Sequence, residues 1–311
     1  MENDPNIIRQ FKLKVSDGHT LQVWDWGNPE AATPIIVLHG GPGSQTGARH
    51  VAAFNPKLDR VILFDQRGCG LSTPYGSLES NTTKDSISDI SAIADELKIS
   101  KFILHGNSWG STLALAYGVA HPERVSSMVI GGVFTGSKRE AGWLDNGGFR
   151  TFYPDVWQAY LDRTPEEYRK NPSNYNFDKV LNGTAKQQKL SAYAYECLEA
   201  SVIKLDDRFS SESFDEYDPA GMRIEMYYMK NGCFMPDEFI FKNTNKLTMP
   251  VYIVQGRYDM VCPPETAWRL HNLLPKSELY WSISGHAIEH ENQNIFSSIF
   301  ARLREVDASG V

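Results

Sequence analysis

The stretch FILHGNSWGSTLALAYGVA (102–120) decides the fold. Its first residues form a nearly continuous apolar run ending at Gly106, the pattern of a strand covered on both faces. From Ser108 onward the run STLALAYGVA reads as a helix, and Pro122 follows soon after it. Between the two lies Gly106-Asn107-Ser108-Trp109-Gly110, a GxSxG pattern whose glycines permit a tight turn and close helix–strand approach. A bare GxSxG recurs in ordinary loops. A buried strand before it and a helix after it make it a nucleophile elbow, which lifts the Ser108 hydroxyl above a sheet at a helix N-terminus.

Working outward, IIVLH (35–39), VILFD (61–65), VSSMVI (125–130) and VYIVQG (251–256) repeat the doubly covered strand pattern, with helical segments between them. Asn81-Thr82-Thr83 offers caps for one such helix over roughly 84–97. This alternation implies an α/β fold with a mostly parallel central sheet flanked by helices, and sites at the carboxyl ends of its strands. FKLKV (11–15) and TLQVWDW (20–26) differ, because their apolar–polar alternation around Asp17-Gly18 suits an antiparallel edge pair. Residues 135–247 break the pattern with helical pieces such as DVWQAYLDRT and AKQQKLSAYAYECLEASVI. They are expected to form a helical cap inserted after the sixth strand, leaving 1–134 and 248–311 as the core domain.

A serine hydroxyl needs a base, and the base needs an orienting carboxylate, in the chain order Ser, acid, His on such a sheet. Asp259 lies just beyond the strand 251–256. His286 follows a further strand and Gly285, in the loop before the last helix. His290 is the rival base, but it falls where a helix begins, so His286 is favoured. Acyl transfer also needs donors for a developing oxyanion. The glycine-rich HGGPG (39–43) directly after a strand offers the Gly41 N–H, and the elbow offers that of Trp109. His39 is expected to hold this loop by hydrogen bonds rather than to transfer protons.

Composition narrows the partners. With 31 Lys+Arg against 38 Asp+Glu, the net charge of -7 leaves no excess cations to displace phosphate counterions. Nucleic acid and anionic membranes are therefore disfavoured. No stretch approaches the ~18 apolar residues of a membrane span, and MENDPNIIRQFKLKV lacks signal-peptide order, so a cytoplasmic protein is expected. Cys69, Cys197, Cys233 and Cys262 show neither CxxC nor metal-ligand spacing and read as free thiols. Cys262, three residues past Asp259, is expected to be a buried or semi-buried thiol in the triad loop.

HGGPG (39–43), DQRGCGLS (65–72), NTT (81–83), GNSWGSTLALAY (106–117), HPERV (121–125), GRYDMVCPP (256–264) and SGHA (284–287) occur in this order. Together they closely resemble the prolyl iminopeptidases, serine aminopeptidases of the α/β-hydrolase fold, from about residue 7 to 305. The resemblance implies release of an N-terminal residue, preferentially proline, from short peptides or amides, with no metal or other cofactor. It also implies that cap carboxylates bind the substrate's free N-terminal amine. Tyr195-Glu196 falls where the family has Trp-Glu and Arg223-Ile224-Glu225 where it has Arg-Ile-Glu, so Glu196 and Glu225 carry over as amine anchors. Glu199, one turn after Glu196, is the nearest competitor. Phe134 keeps the aromatic used against the proline ring. Gly131 replaces an arginine usual in bacterial members, Leu144 a common aromatic, and Met229 a common phenylalanine, which implies a reshaped subsite. The alternatives are an esterase or amidase of the same mechanism acting on a small amino-acid-derived metabolite, and a receptor without turnover.

Overall fold

Ile35 and Val37 pack into one hydrophobic cluster and Ile36 and Leu38 into another, and all four are buried. Side chains alternate across a strand, so a run buried at every position requires cover on both faces of its sheet. The computed structural model, which describes residues 1, 4–146, 148–205, 213–288 and 290–309, shows how that cover is supplied.

The sheet contains β1 (Ile7–Lys14), β2 (Thr20–Gly27), β3 (Ile35–Leu38), β4 (Arg60–Phe64), β5 (Phe102–Asn107), β6 (Val125–Gly131), β7 (Val251–Gly256) and β8 (Ser277–Ser282). Their order in space is β1-β2-β4-β3-β5-β6-β7-β8. β1 pairs antiparallel with β2 and β2 antiparallel with β4, while β4, β3, β5, β6, β7 and β8 run parallel. The first two strands are thus the edge pair that their alternation implies, and the apolar runs form the parallel body. The first strand starts earlier than its alternation indicates, at Ile7 rather than Phe11.

Helices α1 (Thr83–Glu96) and α2 (Trp109–Ala120) bury Ile90, Ile93, Leu113 and Leu115 in one cluster. Thr82 caps α1 in a reciprocal box with Asp85, which satisfies two N–H groups at the helix start. Between β6 and β7 come α3 (Lys138–Asn146), α4 (Pro154–Asp162), α5 (Pro172–Asn182), α6 (Ala185–Ala200), α7 (Ala220–Lys230) and the short α8 (Phe239–Lys242). Phe149, Tyr160, Phe177 and Tyr195 of this helical segment join the same cluster. Helices α9 (Pro264–Leu273) and α10 (His290–Ser309) complete the chain, and Phe296, Ile299 and Phe300 of α10 cover the opposite face. None of the helices among the described residues is long and apolar enough to cross a membrane.

One charge pair lies inside this framework. Arg67, fully enclosed in the loop after β4, donates to Asp89 of α1 through Nε at 2.7 Å and Nη2 at 2.8 Å. It also donates to the Ser80 carbonyl and the Ser16 hydroxyl. Removing one member of such a pair strands the other charge away from water. Asp89→Ala should therefore lower unfolding free energy by about 3–5 kcal/mol, read as a reduced denaturation midpoint at unchanged m-value.

Candidate active site

Ser108 occupies the end of β5 with φ 59° and ψ -130°, a conformation L-residues rarely adopt. The flanking glycines explain how the chain accommodates it. A Cβ at Gly106 would lie 2.4 Å from the Gly110 carbonyl oxygen, and one at Gly110 would lie 2.2 Å from that of Leu38. The elbow closes only where both positions lack side chains. Trp109 is the first residue of α2, where helix geometry gives its N–H no intrahelical acceptor.

Asp259 and His286 meet. Asp259 Oδ2 lies 2.9 Å and Oδ1 3.1 Å from His286 Nδ1, so that nitrogen carries a proton and donates. Asp259 is fully buried and accepts further bonds from the Val261 and Cys262 N–H groups and from Gln255 Nε2. The imidazole is thereby held as the tautomer whose Nε2 is free to take a proton. Burial pulls the His286 pKa down, but the charge and hydrogen bond of Asp259 and the charge of Glu199 outweigh it and leave it raised. His290 is exposed at the start of α10, away from this contact.

Ser108 shares a pocket with Gly41, Phe134, Tyr195 and Leu144, and with Glu199, Glu225, Met229 and Cys262. Its free volume of about 40 Å³ is room for roughly three waters, the scale of one small side chain. The Glu225 and Glu199 carboxyls are hydrogen-bonded to each other. Burial, then the charges of Glu199 and Glu196, push Glu225 well above the usual carboxyl range. Burial and the charge of Glu196 push Glu199 to about 7. Two carboxyls this close, one buried and one half-buried, share a proton. Tyr217, whose buried hydroxyl has no hydrogen-bond partner among the described residues, stands close enough for Glu196 and Glu225 to reinforce the rise that burial gives its phenol pKa.

The sequence reading and the structure differ in two places. Glu199, regarded as a competitor of Glu196, lines the Ser108 pocket; Glu196 is outside that lining, half-buried one turn earlier, and acts there through its charge. Gly131 is not a missing pocket side chain: a Cβ there would meet Asn107 Oδ1 at 2.6 Å and Phe296 Cζ at 2.8 Å. With Asn107 and Phe296 placed as they are, a side chain at that position would have to displace both of their tips. Leu144 and Met229 do line the pocket. Cys262 is buried and lines the same pocket as Ser108; burial and then Asp259 push its pKa well up, so it stays a neutral thiol. Gln66 and Gln255 are not singled out by the sequence motifs, although a glutamine in the buried run VYIVQG is a visible signal.

The family model for the alpha/beta hydrolase fold matches residues 33–288. With its sheet order, elbow and Asp–His contact, the chain belongs to the α/β-hydrolase fold family. It is 39% identical over 281 residues to a proline iminopeptidase of Arabidopsis thaliana, covering 86% of this chain and 72% of that protein. It is 38% identical over 281 residues to the proline iminopeptidase of Neisseria gonorrhoeae, covering 88% and 89%. The crystal structure of the Mycobacterium smegmatis proline iminopeptidase shares the fold at TM-score 0.64, with 22% identity over 97% of this chain and 100% of that one. An esterase from Exiguobacterium antarcticum shares it equally well, at TM-score 0.65 and 19% identity over 96% and 100%. Within the α/β hydrolases, this chain is a member of the proline iminopeptidase family.

A general base must be neutral in the free enzyme, so a basic role for His286 predicts that activity is lost as pH falls through its pKa, which is raised from the ordinary 6.5. Glu199→Gln removes one of the charges that raise it. The acid limb of kcat/KM for an amine-free acetate ester should therefore move to lower pH, a shift that a pH–rate profile from 5 to 9 would show. An unmoved limb would separate Glu199 from the titration of His286.

Proposed function

We infer that the protein is a serine aminopeptidase that releases an N-terminal residue, preferentially proline, from short peptides and amides. The observation that carries this reading is the Glu199–Glu225 carboxyl pair in the same small pocket as Ser108 and Gly41. A pocket built only for acyl esters gains nothing from two buried acids, whose desolvation is costly unless a cation joins them. A protonated N-terminal amine is such a cation, and its arrival favours ionisation of both carboxyls. Glu196 adds negative charge from the preceding turn. An amine fixed here places the first carbonyl of the peptide, and no later one, against Ser108.

The roles we propose are supported by geometry and charge. His286 Nε2 takes the Ser108 proton as Oγ attacks the substrate carbonyl, and Asp259 stabilises the imidazolium formed. The Gly41 and Trp109 N–H groups receive the oxyanion. The imidazolium returns the proton to the departing amine, leaving the residue esterified to Ser108, and water then attacks that ester with His286 again as base. Phe134 and Tyr195 supply aromatic faces for a pyrrolidine ring, and Leu144 and Met229 complete an apolar wall. The flexible thioether of Met229 tolerates other small side chains, so preference for proline rather than strict selection is expected.

Steady-state kinetics on proline arylamide and p-nitrophenyl acetate test the amine anchor. Glu225→Gln should raise KM for the arylamide about tenfold to a hundredfold, the scale of one charge-assisted hydrogen bond of about 1.5–3 kcal/mol. Acetate hydrolysis should change less than about threefold. Ser108→Ala should abolish both. Equal losses on the two substrates in Glu225→Gln would instead support an esterase or amidase without amine recognition.

A further inference from the structure

The two N–H groups assigned to the oxyanion come from segments far apart in sequence, the loop after β3 and the first turn of α2. Something must hold them at a common distance from one oxygen atom, and one side chain touches both segments. Gln66, 5% exposed in the loop after β4, donates from Nε2 to the His39 carbonyl at 2.8 Å. Its Oε1 accepts from the Trp109 indole Nε1 at 2.9 Å. Turning the amide over would set oxygen against oxygen and N–H against N–H, so only one orientation satisfies both partners.

The backbone of Gln66 reaches the same loop. Its N–H donates to His39 Nε2 at 3.0 Å, which places the imidazole proton on Nδ1, where it donates to the Gly40 carbonyl at 3.0 Å. That carbonyl and the Gly41 N–H belong to one planar trans peptide, so they point in opposite directions. Fixing the Gly40 oxygen fixes the direction of the Gly41 N–H. His39 is fully buried, and burial lowers its pKa, so it stays in this neutral form.

We propose that Gln66 is a positioning residue for the acyl-transfer reaction: through His39 it aims the Gly41 N–H, and through the indole it pins Trp109, so that both oxyanion donors converge. The proposal rests on acyl transfer at Ser108 and not on amine recognition. The relay acts on the tetrahedral state, because an oxyanion needs both donors at hydrogen-bond distance and the ground-state carbonyl does not.

The test compares Gln66→Met, which keeps length and removes both hydrogen bonds, with Trp109→Phe, which removes only the indole donor and keeps the backbone N–H. In Gln66→Met, kcat should fall about tenfold to a hundredfold on both proline arylamide and p-nitrophenyl acetate, within the cost of losing one oxyanion donor. KM for the arylamide should stay within about twofold. Affinity for a proline aldehyde, which forms a tetrahedral adduct on Ser108, should drop by the same factor as kcat/KM, while inhibition by free proline is unchanged. Trp109→Phe should show a smaller kcat loss of the same kind. Adding Gln66→Met to it should cost less than it does alone, since one hydrogen bond is already gone. A folded Gln66→Met enzyme with wild-type kcat, or one altered in KM alone, would overturn the proposal. If Gln66→Met does not fold, an unchanged kcat in Trp109→Phe would do so.

Discussion

The backbone conformation of Ser108 is the constraint on which the rest of the structure depends. Holding a non-glycine residue at φ 59° and ψ -130° costs on the order of 1–3 kcal/mol, and it persists only where the surroundings leave no alternative. Here β5 and α2 approach so closely that Gly106 and Gly110 have no space for a side chain. The Ser108 N–H donates to the Gly131 carbonyl at 3.1 Å, and its own carbonyl accepts from the Ser111 N–H and hydroxyl. Ser111 Oγ in turn accepts from the Phe134 N–H at 3.0 Å, which ties the elbow to the segment that leads into the helical insertion.

That insertion grips the reactive loops as well as roofing them. The Ile203 carbonyl, just past α6, accepts from the N–H groups of His286 at 2.8 Å and Ala287 at 3.0 Å. In α7, Gly221 lies directly against Gly43 of the HGGPG loop, where a Cβ on Gly43 would stand 2.1 Å from the Gly221 oxygen. Four residues after Gly221 in that helix comes Glu225, and one turn further Tyr228 packs its ring edge-on against Trp109 at 4.8 Å. The Tyr228 hydroxyl donates to Asn81 Oδ1, fastening α7 to the core. One helix therefore contacts the HGGPG loop, packs against Trp109, and carries a carboxyl of the pocket. A shift of α7 moves all three together.

Much of this was legible in the sequence because local rules suffice for it. Continuous apolar runs mark doubly covered strands, GxSxG between a strand and a helix marks the elbow, and Asp259 and His286 follow strand ends in the required order. What escaped depends on direction. Glu196 and Glu199 differ by about 300° around α6, so which carboxyl enters the pocket is decided by how that helix rolls against α5 and α7, and no periodicity gives the roll. Gly131 was open to a reading as a lost pocket cation because sequence cannot show that Asn107 and Phe296 already fill the space. Gln66 lay hidden in the motif DQRGCGLS, whose neighbours do structural work: Asp65 accepts from the Thr46 and Leu71 N–H groups, and Arg67 pairs with Asp89.

The net charge of -7 also acquires a local meaning. Spread over a surface in salt, such a charge is screened within about 8–10 Å and selects little. Glu199 and Glu225 are different, because burial removes the screening and makes their mutual repulsion strong enough to retain a proton between them. A neutral ligand leaves that proton in place and gains no ionic attraction. A cationic amine displaces it, and the low dielectric that made the empty pair costly then strengthens the new contact. On the amine-anchor reading proposed above, discrimination between free and blocked N-termini rests on the same desolvation that raises the two pKa values.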